Sequence, residues 1–269
     1  MDKLYSLEQH WLACMATAGG GGRVTRLAGA TVVANPRVDG TFLNFIWLHR
    51  MQPEALAATL AAAGALLSAY DRRPALFLSP AAGEVEQLAE RLRLTGWVPV
   101  LHQVVLASPL PQPERRSDPA ITVTSVGREQ LPLWGQTLVD AYGVSTEAAD
   151  SIRRGWTALM ADPGEGAKVS YYLATLEGQS VGTGLTWSQG GIAALYCGAV
   201  NSAFRRRGVH RALMQRRLTD AAREGNHLAV LQTEKGSPVE HLCTTHLGFT
   251  LAYERQMWLP PTAVQAVSN

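Results

Sequence analysis

An α/β chain built from two units on one plan is what the sequence predicts, and three observations lead there. Strand-length apolar runs alternate with stretches of helical spacing throughout the 269 residues. Residues 108–119 carry Pro109, Pro111, Pro113 and Pro119 with interspersed charge, a composition that favours an extended connection over a packed element. Three short signatures then recur in one order on either side of that segment. Val85-Glu86-Gln87-Leu88 is answered by Val239-Glu240-His241-Leu242, Gly96-Trp97 by Gly248-Phe249, and Gln103-Val104-Val105-Leu106 by Gln256-Met257-Trp258-Leu259. The spacing predicts domains at 1–107 and 120–269 with a linker at 108–119.

Taken in order, residues 4–18 read as an amphipathic helix through Leu4, Trp11, Leu12 and Met15, broken by the run Gly19 to Gly22. Two β-rich stretches, 24–34 and 41–48, flank the turn residues Asn35-Pro36-Arg37-Val38-Asp39-Gly40. A helix follows over 53–70, with Pro53 suited to a first helical position. Residues 75–79, 84–94 and 98–106 read as strand, helix and strand. Beyond the linker, 121–126 alternates as a strand, and 128–142 and 146–160 read as helices. Residues 169–176 and 181–187 form a hairpin across Glu177-Gly178-Gln179-Ser180. A buried strand at 192–200, a helix from 207 to about 224, a strand at 228–233, a helix from 237 and closing strands to 259 complete the chain.

Composition narrows the function. With 46% hydrophobic and 17% charged residues the chain is globular, and a net charge of +2 with pI near 8.5 gives no reason to expect nucleic acid or an anionic membrane as partner. Cys14, Cys197 and Cys243 are odd in number and lack ligand spacing, so neither a disulfide framework nor a metal site is expected. Asp2, Lys3 and Glu8 interrupt the N-terminal apolar residues, and no stretch approaches a membrane span; a cytoplasmic location is the expectation.

The chemistry concentrates in residues 200–213. An apolar strand ends at Val200, a polar turn follows, and Val209, Leu213, Leu218 and Ala221 recur at helical spacing, so the turn opens a helix. The first N–H groups of a helix lack intrahelical partners and sit at the positive end of the aligned peptide dipoles, where anions bind. Arg205, Arg206 and Arg207 add fork-shaped donors, and Gly208 has no Cβ to hold a ligand off the backbone. The pattern suggests a pyrophosphate cradle; the competing reading of three adjacent arginines is a solvated basic face.

Arg205-x-x-Gly208-x-His210, running into Arg211-Ala212-Leu213, resembles the acetyl-CoA loop of the GNAT N-acetyltransferases. That loop normally has Gly or Ala where this chain has His210, whose side chain either crowds the diphosphate or points away and leaves the backbone donors free. The order of elements over about 120–259 and the Leu247-Gly248-Phe249 turn are also similar to the family. The resemblance implies two tandem GNAT-like domains, each a mixed, mostly antiparallel central sheet flanked by helices. It further implies direct acetyl transfer from acetyl-CoA to an amine of a small molecule or protein. Backbone groups of Gly198, Ala199 and Val200 are expected to hold the pantetheine arm, and Arg205, Arg206, Arg207, Gly208, Val209, His210 and Arg211 the diphosphate.

Catalytic groups are sparser. The strand positions where family members often carry glutamate hold Ala194 and Tyr196, and the usual tyrosine of the last helix is replaced by Thr244. Tyr196 and Glu234 are the candidate catalytic residues, read otherwise as core packing and a surface acid. Cys197 and Cys243 need not be nucleophiles in direct transfer. In the first half, His49-Arg50-Met51-Gln52-Pro53-Glu54 replaces the cradle: no glycine, one backbone donor deleted by Pro53, and negative charge at Glu54. That half is expected to be degenerate and without cofactor. A non-catalytic acyl-CoA-binding or partner-binding module is the competing expectation; aminoacyl transfer from charged tRNA is disfavoured by the near-neutral charge.

Overall fold

The computed structural model describes residues 2–111, 118–144 and 146–261, and the described chain divides into two compact units. The first comprises 2–105, 233–240 and 251–261; the second comprises 106–111, 118–144, 146–232 and 241–250. These units do not follow the boundaries 1–107 and 120–269, because a strand near the C-terminus joins the N-terminal sheet. Of the expected linker, 112–117 lies outside the described residues.

Unit 1 begins with α1 (Asp2–Thr17), β1 (Arg23–Leu27), β2 (Ala30–Ala34) and β3 (Phe45–Leu48). The apolar stretch 24–34 is two strands instead of one, since the chain reverses through Ala28 and Gly29, the latter at φ +71°. A 3₁₀ turn at Pro53–Ala55 leads into α2 (Leu56–Ser68), then β4 (Leu76–Leu78), α3 (Val85–Leu94) and β5 (Val98–Pro109), of which 98–105 belongs to this unit. β1, β2 and β3 are antiparallel neighbours, whereas β4 lies parallel to β3 after the α2 crossover. The far edge of β4 is taken by β11 (Thr250–Leu259), antiparallel, with Leu78 opposite Gln256 and Leu76 opposite Trp258.

Both faces of this sheet are covered. Thr59, Ala63 and Leu67 of α2, and Leu88 and Leu92 of α3, point inward at helical spacing; the aliphatic side chains among them pack with Ile46, Leu48, Leu76, Leu78 and Trp258. The alternate strand residues Phe45 and Phe77 meet Trp11 of α1, with ring centroids 4.7 and 4.9 Å away. Arg255 of β11 inserts its guanidinium here, 4.1 Å from the Trp11 centroid and 4.9 Å from that of Phe77, and donates from Nε to Gln103 Oε1 at 2.9 Å. Glu8 is buried near Arg255; burial raises its carboxyl pKa by more than Arg255 lowers it.

Unit 2 is built from β6 (Ile121–Ser125), α4 (Leu131–Tyr142), α5 (Thr146–Thr157), β7 (Lys168–Leu176), β8 (Gln179–Gln189), β9 (Ile192–Val200), α6 (Val209–Arg223), β10 (Leu228–Glu234) and α7 (Pro238–His246), of which 233–240 belongs to unit 1. Its sheet runs β10-β9-β8-β7-β6, antiparallel throughout except for β9 and β10, which are parallel and joined by α6. The β7–β8 turn places Glu177 and Gly178 at φ +54° and +75°, the left-handed pair a tight hairpin requires. Val209 and Leu213 of α6 pack on Ile121, Val181 and Val200. Residues 106–109 are strand, tied by Ser108 Oγ to the Gly248 carbonyl at 3.0 Å, so the proline-rich segment begins as sheet. The fold class is the expected mixed, mostly antiparallel α/β architecture. Among the described residues, no helix is long and apolar enough to cross a membrane, and no cluster of three metal-ligating side chains occurs.

Because Trp258 sits in the core of unit 1, residues 1–111 made alone lack both an edge strand and a core indole. That fragment is expected to show no cooperative urea transition by far-ultraviolet circular dichroism; a sharp transition would show that β11 is dispensable.

Candidate functional site

The candidate site grows from a bend in β9. Its register with β8 shifts between Thr183 and Leu185, and Cys197 adopts φ +52°, the signature of a bulge. A bulge turns carbonyls out of the ladder, and here other side chains meet them. Arg217 of α6, 1% exposed, donates from Nη2 to the carbonyls of Leu185 and Tyr196, the latter at 2.9 Å, and from Nε to Thr186 Oγ1 at 3.4 Å. Thr183 Oγ1 donates to the Cys197 carbonyl at 3.0 Å, and Trp134 Nε1 to that of Gly184 at 3.2 Å. Gly184 makes room for the arginine, since a Cβ there would lie 2.8 Å from Arg217 Cδ. Burial lowers the Arg217 pKa to about 10, so the guanidinium stays charged at neutral pH.

The bend has a consequence for the neighbouring strand. β9 pairs with β10 only from Ile192↔Leu228 to Ala194↔Val230, and from Leu195 onward it has no register with β10. Gly198, Ala199 and Val200 all lie on this unpaired stretch.

The chain then turns into α6. Asn201 Oδ1 accepts from Ala203 N–H at 3.2 Å, capping a 3₁₀ turn at Ser202–Phe204. Arg206 and Gly208 follow at φ +60° and +82°, and the first bond into the helix runs from Ala212 N–H to the Gly208 carbonyl at 3.0 Å. The N–H groups before Ala212 are left without an intrahelical acceptor. A side chain at residue 208 would be strained by its left-handed backbone, although the space there is open: a Cβ would meet only Ile121 Cδ1, at 3.6 Å.

The three arginines divide their work. Arg205, expected to meet phosphate, donates from Nε to the Val200 carbonyl at 3.2 Å and from Nη2 to the Ala141 carbonyl at 3.3 Å, and so braces the turn. Arg207 pairs with Glu177 in the β7–β8 turn and lies 5.6 Å over the Phe204 ring. Arg206 is exposed at the left-handed position. Val209 is buried in the core, and Arg211 is half-buried.

His210 neither crowds the open side of the turn nor points away. Its ring tucks under β9 against Gly198, where a Cβ would lie 3.0 Å from the imidazole Cε1. Burial, and secondarily Arg217, lower its pKa to about 4, so the ring is neutral at physiological pH.

Tyr196 is buried on β9 with its ring stacked on Trp156, centroids 5.5 Å apart. Glu234 is exposed at the end of β10. The thiol of Cys197 is pushed well up by burial and that of Cys243 to about 12, which keeps both protonated and unreactive at neutral pH. Thr244 is exposed on α7.

Residues 117–231 match the family model described as an acetyltransferase (GNAT) domain. These residues are a GNAT domain. Solved structures agree on the fold. A GCN5-related N-acetyltransferase from Kribbella flavida is 19% identical, with 95% of each chain covered and a TM-score of 0.71. One from Sphaerobacter thermophilus is 18% identical, covering 86% of this chain and 79% of its own at a TM-score of 0.61. A tandem GNAT protein from the clavulanic acid biosynthesis pathway is 14% identical, covering 85% of this chain and 77% of its own at 0.58. No curated protein matches.

Two measurements probe the GNAT domain's frame. Arg217→Met keeps the side-chain bulk but strands two main-chain carbonyls, and is expected to cost about 3 kcal/mol in urea unfolding; a loss below about 1 kcal/mol would show that the bulge holds without it. His210 binds its proton near pH 6.5 when unfolded and near 4 when folded, so between those values the unfolded chain holds more protons and stability is lost as the pH is lowered. The loss is on the order of 3 kcal/mol by pH 4, and His210→Gln should flatten this part of the pH profile.

Proposed function

We propose that the GNAT domain binds acetyl-CoA on the turn from Arg205 to Arg211 and along the edge of β9, and transfers the acetyl group to an amine. The observation that carries this reading is the early end of the β9–β10 ladder at Ala194↔Val230, next to a helix start opened by a left-handed glycine. An unpaired strand edge accepts an extended, amide-bearing chain as an added strand, and free N–H groups at a helix start accept an anion. The residues fit the group: Gly208 has open space around it, Arg206 is exposed beside it, and Arg205 fixes the turn to Val200.

The cosubstrate supplies an activated acyl thioester; the chain supplies orientation and proton handling. The backbone of Gly198, Ala199 and Val200 binds the arm, and the N–H groups from Gly208 to Arg211 hold the diphosphate with Arg206 and Arg207. The acceptor, a small molecule or protein amine, must be neutral to attack, whereas a lysine-like amine has a pKa of about 10.4. Tyr196 of β9 is the candidate for taking that proton in this reading, a role that requires its phenolate form.

Unit 1 supports a tandem reading in which one copy has lost the cosubstrate. Its strands β1, β2 and β3, the α2 crossover and parallel β4 repeat the order β7, β8, β9, α6 and β10. There, however, the two parallel strands stay joined past their ends. Arg50 N–H donates to the Ala81 carbonyl and Met51 N–H to that of Ala82, both at 2.8 Å, and Met51 bridges Gly83. Pro53 and Glu54 then open the helix, one lacking a donor and the other repelling an anion.

Acetyl-CoA at about 100 times its Kd is expected to raise the Tm of the wild type by about 5 °C and to leave Gly208→Glu unmoved; equal shifts would refute the site. Thiol release from acetyl-CoA across a panel of amines then reads transfer itself, and binding with no release for any amine would leave only a carrier.

A further inference from the structure

Among the groups in the GNAT domain that the proposed function leaves without a task is the imidazole of His210. We propose that the His210 side chain hydrogen-bonds an amide of the pantetheine arm, so that this residue grips the cosubstrate with its ring as well as its backbone. The proposal rests on the acetyl-CoA reading above.

Four observations carry it. His210 is the second residue of α6, and helical side chains lean back toward the N-terminus, which brings its ring to the level of the turn. The ring lies against Gly198, with Cε1 at 3.0 Å and Nε2 at 3.7 Å from where a Cβ would be. Gly198 stands beyond Ala194, the last β9 residue paired with β10, so the ring packs on the face of the stretch whose edge is left open for an added chain. Finally, Nε2 has almost no exposed surface and no hydrogen-bond partner among the described residues. A buried ring nitrogen without a partner is destabilising, and a bound ligand that pairs with it removes that cost.

The character of the ring selects the partner. Burial and the neighbouring Arg217 charge keep it neutral, with its pKa lowered to about 4, whereas a phosphate would favour the protonated form. A neutral imidazole presents one donor and one acceptor nitrogen, and a secondary amide offers both a carbonyl and an N–H, so either tautomer of His210 finds its complement. The diphosphate, which offers acceptors only, does not share this match; the amides of the arm do, and the adenosine 3′,5′-bisphosphate titration below separates them from the nucleotide's own donors and acceptors.

Isothermal titration of the full chain separates the parts. CoA and adenosine 3′,5′-bisphosphate, which lacks the arm, are titrated into the wild type, His210→Leu and His210→Gln. The Leu variant is expected to bind CoA about tenfold more weakly, the Gln variant to recover most of that loss, and the bisphosphate to bind all three alike. Unchanged CoA affinity in the Leu variant, or an equal loss for both ligands, would overturn the assignment, the second outcome marking a disturbed turn. Wild-type protein that binds no CoA would instead sink the acetyl-CoA reading and this proposal with it. A readout free of substitutions is the ¹⁵N shift of His210 Nε2, expected to move on adding CoA and to stay put with the bisphosphate; the same shift with both, or none with CoA, overturns the proposal.

Discussion

A charged guanidinium buried beneath the bend of β9 is the interaction on which the rest of the GNAT domain depends. Without Arg217 the carbonyls of Leu185 and Tyr196 would be buried and orphaned; without those carbonyls the guanidinium would be an uncompensated charge in the core. Each therefore makes the other tolerable, and neither survives a conservative substitution cheaply. The geometry they hold together diverts β9 from β10 after three residue pairs. A straight strand would have continued the ladder and closed the edge.

The two units show what that difference is worth. Both lay three antiparallel strands beside a fourth that runs parallel after a helical crossover. In unit 1 the parallel pair is sealed by main-chain bonds at Arg50 and Met51, and the helix opens with a proline and an acid. In unit 2 the pair parts, and the helix opens with a glycine in the left-handed region among arginines. The ligand site proposed here is thus made by leaving hydrogen bonds unmade between strands, while side chains satisfy the carbonyls turned out on the other side.

Much of this was legible in the sequence, for identifiable reasons. The apolar run ending at Val200, the arginine turn and Gly208 were readable because strand and helix periods change sharply across a polar segment. Arg217 was not, although its signal existed: Val209, Leu213, Arg217 and Ala221 form a fourfold-spaced stripe, and a charge in an apolar stripe usually stretches its head to solvent. Only the missing side chain of Gly184, far away in sequence, makes room for it inside. The course of His210 depended likewise on Gly198. The placement of β11 was hidden by the repeat itself, since Gln103-Val104-Val105-Leu106 and Gln256-Met257-Trp258-Leu259 are alike enough that either suits either sheet.

The pairing of β11 with β4 also sets an order of events during synthesis. Chains usually fold as they leave the ribosome, upstream regions first. Here the strand opposite Leu76 and Leu78 is translated only after nearly all of unit 2, so the N-terminal sheet must wait with an unfilled edge while the downstream GNAT domain is made. The long interval between the two partners raises the contact order of unit 1 and prolongs the exposure of β4 to wrong neighbours. The region at the beginning of the chain is thereby the one that reaches its native form late.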